Sequence, residues 1–590
     1  MGKTFSARYV TLDEHLMERL PRPGLPPEQR WPPLALGVVA VIMIFTVFPN
    51  PLRPPPQNPN AQAEYAAGPP DTPNFNESAL ATSGGVGSTH IEYQDPVALA
   101  AQAPPPPPQF RARTKECVGT PPRQTEDPLS PPCVGWFDGV TSATYRGVTR
   151  DEIRVLFYND WDVEGDLTGP YDSSQEPNGS FNVARAEGLV KTIKAQLRFF
   201  QERFQTYGRR VLLIGVKSQG RGSTCPQRRG DASFWAGQLD PFAALDFSFA
   251  NPTCFLDEIA SVQKVMTFGI NPDLPPGVYQ RNKPLIFGFY PDQGSEAAWS
   301  ADFACNLAAK RATWAGDTDL RTKRRTFALI QPNEPDQAFG EDRITKRLRD
   351  ELQARCNLSY REISSGGIRQ AAQEGITTII CQCNPGTARN AQDTADSEDY
   401  HPEWFFPYGS GMLSNAANRA AASPTQRSFG MTHHWLLPSV QEQFHYRAYM
   451  TQEQGSRPNT DINFEIYMQF MNLFTGIQAA GPKLTPESVQ KGMFTFQYQN
   501  QQDPSQPTGG YGPYSPKAVS DYTFIDTVAL WWWNPDGTEP GGEQGCLALT
   551  SEGRRYYLGE WPADPGFFDP ETSRCTADPE SGGGGGFDAF

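Results

Sequence analysis

Adjacent histidines and closely spaced cysteines are the residues of this chain whose spacing could support metal or nucleophilic chemistry. His433 and His434 are neighbours, and His445 is the next histidine along the chain. Adjacent side chains on a strand point to opposite faces, so this cluster is not expected to share a metal ion. The sequence contains no G-x-S-x-G elbow, Walker loop, H-E-x-x-H motif or G-x-G-x-x-G turn after a strand. We therefore predict that the protein is not an enzyme and uses no metal or cofactor.

All ten cysteines follow the one long hydrophobic segment. An even number of cysteines in an exported chain predicts disulfide bonds. Zinc is the alternative, but it needs paired close spacings, and Cys381 and Cys383 form the only close pair in the sequence. We predict three local bonds, Cys117–Cys133, Cys225–Cys254 and Cys546–Cys575. The four remaining cysteines can pair in three ways that the sequence leaves open: Cys305, Cys356, Cys381 and Cys383.

The hydrophobic segment spans residues 31–48 and carries no charge. Its length is at the short end of what crosses a hydrocarbon core as a helix. Basic residues are concentrated in the leader of residues 1–30, so the positive-inside rule places the N-terminus in the cytoplasm. We predict an uncleaved transmembrane signal anchor, with the rest of the chain outside the cell membrane. A cleaved signal peptide is the alternative, although the first small-x-small site, Ala61–Gln62–Ala63, lies far beyond the apolar run. A buried core helix is disfavoured by the flanking prolines.

Residues 49–113 are rich in Pro, Ala, Gly, Gln and Asn. Such a composition cannot bury enough apolar area to fold and favours polyproline II, so we predict a semi-rigid stalk. Residues 114–146 are expected to form a disulfide-linked lead-in, and residues 581–590 to be disordered. The net charge of −15 disfavours binding to nucleic acid or to anionic lipid headgroups.

The alternation of strand-like and helix-like patterns predicts an α/β fold. Within residues 324–385, three apolar strand-like runs alternate with two helical patterns. The runs are Thr326–Ile330, Leu358–Ile363 and Ile376–Cys383. The first helical pattern carries Ile344, Leu348 and Leu352 at helical spacing, and the second spans Ile368–Glu374. Strand, helix, strand, helix, strand implies a parallel sheet with right-handed crossovers. The stretch from Glu152 to Val216 has the same order of a strand, a long helix and a strand.

The order of these units resembles that of the type I periplasmic binding proteins, specifically the branched-chain amino-acid receptors of ABC importers. The likeness begins at Gly147 and runs through a strand, the loop Leu167–Pro170, a long helix and the turn Tyr207–Arg210. Pro284–Asp292 resembles the first hinge crossing, and AAGPKLTPESV is similar to a phrase at the same place in that family. The tail, with three consecutive tryptophans at residues 531–533, is similar to that of actinobacterial members.

The resemblance implies a two-lobed type I periplasmic-binding-protein fold, in which two doubly wound parallel sheets are joined by hinge crossovers behind the N-terminal transmembrane helix. Ligand would be held in the cleft between the lobes, and closure would signal to membrane permease subunits. The expected segments are 147–292 for the first part of lobe 1, 293–430 for lobe 2, 431–536 for the return to lobe 1 and the hinge, and 537–580 for a cysteine-containing tail.

The resemblance also implies ligand-binding positions at the ends of strands: Ser248, Asn251, Phe268, Gly269, Asn384, Tyr408 and Ser410. The family presents an acid near the position of Tyr408 to meet an amino group, and the neighbouring residues here are neutral. We therefore expect a small polar or carboxylate-bearing ligand rather than a zwitterionic amino acid, because a buried ammonium without a counter-charge is costly. For each of these side chains a capped turn or a rim contact is the alternative.

The function expected from this reasoning is that of a membrane-anchored extracytoplasmic receptor that delivers a small molecule to an ABC-type importer. The alternative is a degenerate binding-protein fold that has lost its ligand and serves as a structural or interaction module of the cell envelope. Polar groups converging on an open cleft favour the receptor, whereas a cleft filled by the protein's own side chains favours the module.

Overall fold

The computed structural model describes residues 117–578, with gaps at 120–121, 136, 138, 162, 170–182, 221–222, 249–251, 270–273, 331–343, 460–461, 496–504 and 513–521. All of these residues belong to one compact unit, Glu92–Phe590. The predicted leader, anchor, stalk and terminal tail lie outside the described residues. Within the described part of the chain, no helix is both long and apolar enough to cross a membrane.

Lobe 1 is built on a six-stranded sheet with strand order β2-β3-β1-β4-β5-β6. Its strands are β1 (Glu152–Asn159), β2 (Gly165–Asp166), β3 (Arg210–Lys217), β4 (Ala243–Phe247), β5 (Met266–Gly269) and β6 (Ile286–Gly288). All neighbours pair in parallel except β2 and β3. Nearly every residue of β3 and β4 is buried, which explains the continuous apolar runs in their sequences.

Four helices connect the strands of lobe 1: α1 (Val183–Arg203), α2 (Cys225–Leu239), α3 (Pro252–Asp257) and α4 (Pro276–Asn282). Helix α3 continues into a π-helical turn at Glu258–Val262. The lead-in packs on this lobe, because the Gln124 side chain donates a hydrogen bond to the carbonyl of Arg203 at the end of α1.

Lobe 2 contains a nine-stranded sheet ordered β15-β13-β12-β11-β10-β9-β7-β8, with β14 beside β12. Its strands are β7 (Phe327–Ile330), β8 (Tyr360–Ile363), β9 (Thr378–Cys381), β10 (Glu403–Phe406), β11 (Arg427–Thr432), β12 (Val528–Thr538), β13 (Gln544–Leu549), β14 (Arg555–Tyr556) and β15 (Arg574–Cys575). The strands from β7 to β11 pair in parallel, and every pairing from β11 onward is antiparallel. The predicted cysteine-containing tail thus supplies strands to this sheet.

The helices of lobe 2 are α5 (Gln293–Ala308), α6 (Thr318–Arg321), α7 (Ile344–Cys356), α8 (Ile368–Glu374), α9 (Pro385–Ser397) and α10 (Asn415–Ala421). Apolar clusters fill both faces of the sheet. The chain then returns to lobe 1 through α11 (Phe444–Gln452), α12 (Asn463–Ala480) and α13 (Pro486–Phe494), whose side chains join the lobe 1 core. The predicted α/β fold with two sheets is confirmed. The second sheet is mixed rather than parallel, because strands β12 to β15 add antiparallel partners beyond β11.

Among the residues that the structure describes, three segments cross between the lobes. The first, residues 289–292, leads from β6 to α5, and the second, residues 433–443, leads from β11 to α11. The third, residues 523–527, begins at Thr523, which bridges in parallel to Gly288, and enters β12. Since the first two crossings leave from the carboxyl ends of β6 and β11, the carboxyl edges of both parallel sheets meet at these crossings.

The ten cysteines form five disulfide bonds. The three predicted local pairs are confirmed: Cys117–Cys133, Cys225–Cys254 and Cys546–Cys575. Among the four that the sequence left open, Cys305 pairs with Cys356 and joins α5 to α7, while Cys381, the last residue of β9, pairs with Cys383. Each bond lies within one lobe or within the lead-in.

Candidate functional site

The lobe 1 positions inferred from the resemblance have different environments. Ser248 follows β4 and is buried, and its backbone N–H donates to Asp246 Oδ1 at 2.8 Å. Phe268 lies inside the core, where its ring stacks on Phe287, and a Cβ added at Gly476 of α12 would lie only 2.9 Å from its Cε1. Core packing accounts for Phe268, so the aromatic ring is not offered to the cleft.

The remaining two lobe 1 positions, Gly269 and Asn251, provide no described side-chain group for a ligand. Gly269 ends β5, and its carbonyl accepts a hydrogen bond from Phe289 N at 2.9 Å. This bond fixes the start of the first crossing against β5. Asn251 lies outside the described residues. Ser248 is therefore the described lobe 1 position that places a hydroxyl at a strand end.

A buried charged cluster lies behind Ser248. Arg228 of α2 donates to Asp160 Oδ1 at 3.0 Å, and both side chains are fully buried. The hydroxyl of Tyr158 donates to Asp231 Oδ2 at 2.6 Å. Burial raises the pKa of Asp246 to about 7, although the hydrogen bond that its carboxylate accepts from Ser248 N lowers it. The bonds of Arg228 and Asp231 tie α2 to the carboxyl end of β1, the strand that pairs with β4.

On lobe 2, Asn384 behaves as a helix cap. Its Oδ1 accepts a hydrogen bond from Thr387 N at 2.8 Å at the start of α9, and the residue is exposed. This is the ordinary N-cap geometry, in which a side-chain oxygen satisfies a free N–H of the first helical turn. The capped-turn alternative therefore explains Asn384.

Tyr408 and Ser410 are buried after β10. The backbone N–H of Tyr408 donates to Ser300 Oγ of α5 at 3.0 Å, and its ring lies 5.9 Å from that of Trp299. The turn continues through Gly409 at a φ of +77°, a conformation that glycine adopts readily. Within the described residues, Ser410 Oγ has no hydrogen-bond partner. The loop after β10 thus holds a polar hydroxyl in a buried place beside α5.

His433 lies at the centre of the crossings, which the sequence did not indicate. Its ring centroid is 4.3 Å from that of Tyr290 in the first crossing, 5.4 Å from that of Tyr408 and 4.1 Å from that of His434. The expectation that the two histidines point to opposite faces was wrong, because β11 ends at Thr432 and strand alternation stops there. Burial lowers the pKa of His433 well below its usual range, so the ring is neutral near pH 7.

Arg555 is the second functional candidate that sequence reasoning missed. Its Nε donates to Thr527 Oγ1 at 3.1 Å, while Nη1 and Nη2 donate to the carbonyls of His434 and Thr527. Strand β14 places it opposite Ala529, which itself pairs with Thr432 at the carboxyl end of β11. Burial lowers the pKa of Arg555 to about 9, and the interaction with Tyr408 opposes this shift. No sequence signal marks this residue, since it follows the stretch that carries the resemblance.

A buried acid lies on α5, the helix whose Ser300 accepts the hydrogen bond from Tyr408 N. Glu296 of α5 is fully buried. It precedes Ser300, the partner of Tyr408 N, by one helical turn, so the two share a helix face. The sequence around Tyr408 did not reveal this carboxylate because it comes from a different element.

Comparisons with known proteins give a distant likeness in structure alone. No family model matches the chain, and no curated protein matches it in sequence. A putative branched-chain amino acid ABC transporter from Rhodospirillum rubrum is 13% identical, with a TM-score of 0.43, covering 65% of this chain and 96% of the other. A solute-binding protein of an ABC transporter from R. palustris, in complex with 4-hydroxybenzoate, is 12% identical, with a TM-score of 0.44 and coverage of 70% and 99%.

A leucine-binding protein from Thermotoga maritima gives a similar result. It is 13% identical, with a TM-score of 0.41, and the match covers 65% of this chain and 95% of that one. Sequence identities and TM-scores this low carry no argument about this chain, so the description of its fold rests on its own strand topology and crossings.

Proposed function

We propose that the protein is an extracytoplasmic solute-binding receptor that holds a small polar ligand between its lobes and delivers it to the permease subunits of an ABC-type importer. The observation that carries this proposal is the convergence of the three crossings on the carboxyl edges of both parallel sheets. Ligands of open α/β sheets bind outside the carboxyl ends of the strands. Two lobes linked by a few hinge segments are also able to open and close around a ligand.

Disulfide pairing supports the extracytoplasmic address. Every cysteine of the chain is bonded, and such bonds persist in oxidising compartments outside the cytoplasm. The apolar segment 31–48 then serves as a membrane anchor, and the stalk 49–113 keeps the receptor within reach of a permease, raising its local concentration there. N-terminal sequencing of the mature protein should begin at the start of the chain, and a start near Glu64 would contradict the anchor.

Ser248 and Ser410 are the proposed neutral hydrogen-bond donors of the cleft, one from each lobe, with Asn251 assigned by the resemblance alone. A buried hydroxyl that gains a ligand partner contributes to affinity, because without it the polar atom stays unsatisfied. Asn384 is left out of this set because it caps α9.

The test is native mass spectrometry of the full-length protein released from detergent, followed by calorimetry with the molecule that co-purifies. Ser410→Ala should weaken binding by about tenfold, the usual worth of one buried hydrogen bond. Asn384→Ala is the control, expected to leave affinity unchanged and to lower stability by about 1 kcal/mol through loss of the cap. Micromolar binding of branched-chain amino acids would overturn the expectation of a ligand that is not a zwitterionic amino acid.

A structural role in the cell envelope is the second candidate, and one observation favours it. The rings of Tyr290, Tyr408 and His433 pack against one another at the crossings, so the protein's own side chains fill part of this region. If a broad metabolite screen and native mass spectrometry both show no bound molecule, the receptor proposal fails and the structural role replaces it.

A further inference from the structure

Arg555 and His433 lie where the three crossings meet. His433 opens the second crossing and contacts Tyr290 of the first, while Arg555 bonds to Thr527 of the third and to His434 of the second. Every movement of one lobe relative to the other therefore changes the surroundings of these two side chains. A ligand group bound here would stabilise one arrangement of the crossings over the others.

The charge of Arg555 is not neutralised by the residues around it. A guanidinium has five N–H donors, and the three bonds of Arg555 go to two carbonyls and a hydroxyl, all neutral. No carboxylate is among its hydrogen-bond partners in the described part of the chain. Arg555 is 7% exposed. A buried cation without an anion costs several kcal/mol, so an anion that meets it gains a correspondingly favourable interaction.

His433 adds an unused polar atom to the same place. Its side chain is 2% exposed, and its Nδ1 has no hydrogen-bond partner among the described residues. In the tautomer that is protonated on Nδ1, the neutral ring donates a hydrogen bond to an oxygen acceptor. A neutral hydrogen-bond donor would be enough to hold two crossings together. Arg555 and His433 offer more than this, because they supply a positive charge and a second donor at the same place.

We propose that Arg555 binds a carboxylate of the ligand at the meeting point of the crossings, with His433 as the neighbouring donor. The ligand class is then a small monocarboxylate. This inference rests on the proposed solute-binding function. It assigns Arg555 as the positive partner of a ligand carboxylate, which the neutral hydroxyls of Ser248 and Ser410 cannot provide. An arginine fork matches the two oxygens of a carboxylate better than a point charge does.

The test uses two carboxylates of different shape, 4-hydroxybenzoate and 4-methyl-2-oxopentanoate, each beside its neutral amide. Thermal melting and calorimetry of the full-length wild-type protein should show binding of at least one acid and at least tenfold weaker binding of its amide. Arg555→Gln should reduce the affinity for that acid by about 30-fold or more, as expected when one partner of a desolvated charge pair is truncated. Arg427→Gln is the matched control, because Arg427 begins β11 at the opposite edge of the sheet, over the ring of Phe568.

The outcomes separate this inference from the function on which it rests. If neither acid binds at 10 mM, if the amides bind as tightly as the acids, or if Arg555→Gln keeps full affinity, the carboxylate site is wrong. Co-purification of a neutral molecule would leave the receptor function standing and still refute the carboxylate. Since Arg555→Gln is able to disturb folding, the comparison of acids with amides on the wild-type protein gives an answer without any variant.

Discussion

Replacing Glu403 with glutamine should destabilise the protein by about 3–5 kcal/mol, because it removes one partner of a buried ion pair. Arg325 donates to both carboxylate oxygens, at 2.7 Å from Nε and 2.8 Å from Nη2, and the two side chains are 1% and 0% exposed. Glu403 also accepts hydrogen bonds from Thr378 Oγ1 at 2.7 Å and from Trp314 N at 3.1 Å. The pair joins β10 to β9 and to the segment before β7 in the centre of lobe 2.

The expected loss of stability in Glu403→Gln follows from the buried charge of Arg325, which remains after the substitution. Glutamine keeps the shape of the side chain and one acceptor oxygen, so packing is preserved while Arg325 stays buried, with its guanidinium carbon 4.6 Å from the centre of the Trp314 ring. Arg325→Met should be as harmful, since it leaves the carboxylate without its partner. In the double variant no charge remains, so its destabilisation should be smaller than the sum of the single effects by roughly 1–3 kcal/mol.

The assay is urea unfolding of the wild type, both single variants and the double variant, followed by tryptophan fluorescence. Lys346→Met is the control, because Lys346 and Asp350 form a pair at 2.9 Å that is 61% and 65% exposed, and its loss should change stability by less than about 0.5 kcal/mol. Single effects below about 1 kcal/mol, or effects that add exactly in the double variant, would refute the view that charge pairing holds this site.

Two further predictions concern the tail and pH. Replacing Cys546 and Cys575 by serine should lower the free energy of unfolding by about 3.5 kcal/mol, the chain-entropy value for their separation of 29 residues, and unchanged urea midpoints would contradict this. Because the pKa of Asp246 in the folded protein, about 7, lies above its ordinary value of 3.8, the stability it contributes is full below pH 4 and is lost as pH rises towards 7. Asp246→Asn should therefore be more stable relative to wild type at pH 8 than at pH 5, and an equal difference in urea midpoint at the two pH values would disprove it.

The sequence predicted those elements whose stability depends on local pattern. Helix α8 (Ile368–Glu374) was predicted with its exact bounds, and β7 and β9 lie within the predicted apolar runs, because strands buried on both faces are apolar throughout. The three disulfide bonds between cysteines close in sequence were also predicted correctly, because their pairing depends on local separation along the chain. The bond between Cys305 and Cys356 could not be predicted, since it depends on how α5 packs on α7.

The site was harder to predict because its members come from distant elements. Arg555 reaches the crossings only because the chain turns back after β13 and pairs with the start of β12, an antiparallel contact that no local pattern encodes. The adjacency of the His433 and His434 rings depends on β11 ending one residue earlier, at Thr432. Glu296 lies on α5, far in sequence from Tyr408, so reading the neighbours of Tyr408 could not reveal it.

The order of the disulfide bonds has a consequence for how this protein is made. The bonds run 117–133, 225–254, 305–356, 381–383 and 546–575, so none encloses or interleaves with another. When such a chain emerges N-terminus first into an oxidising compartment, the first cysteine of each native pair is always followed by its correct partner as the next cysteine to appear. Oxidation in order of arrival therefore yields the native set without reshuffling, and biogenesis should proceed without a disulfide isomerase.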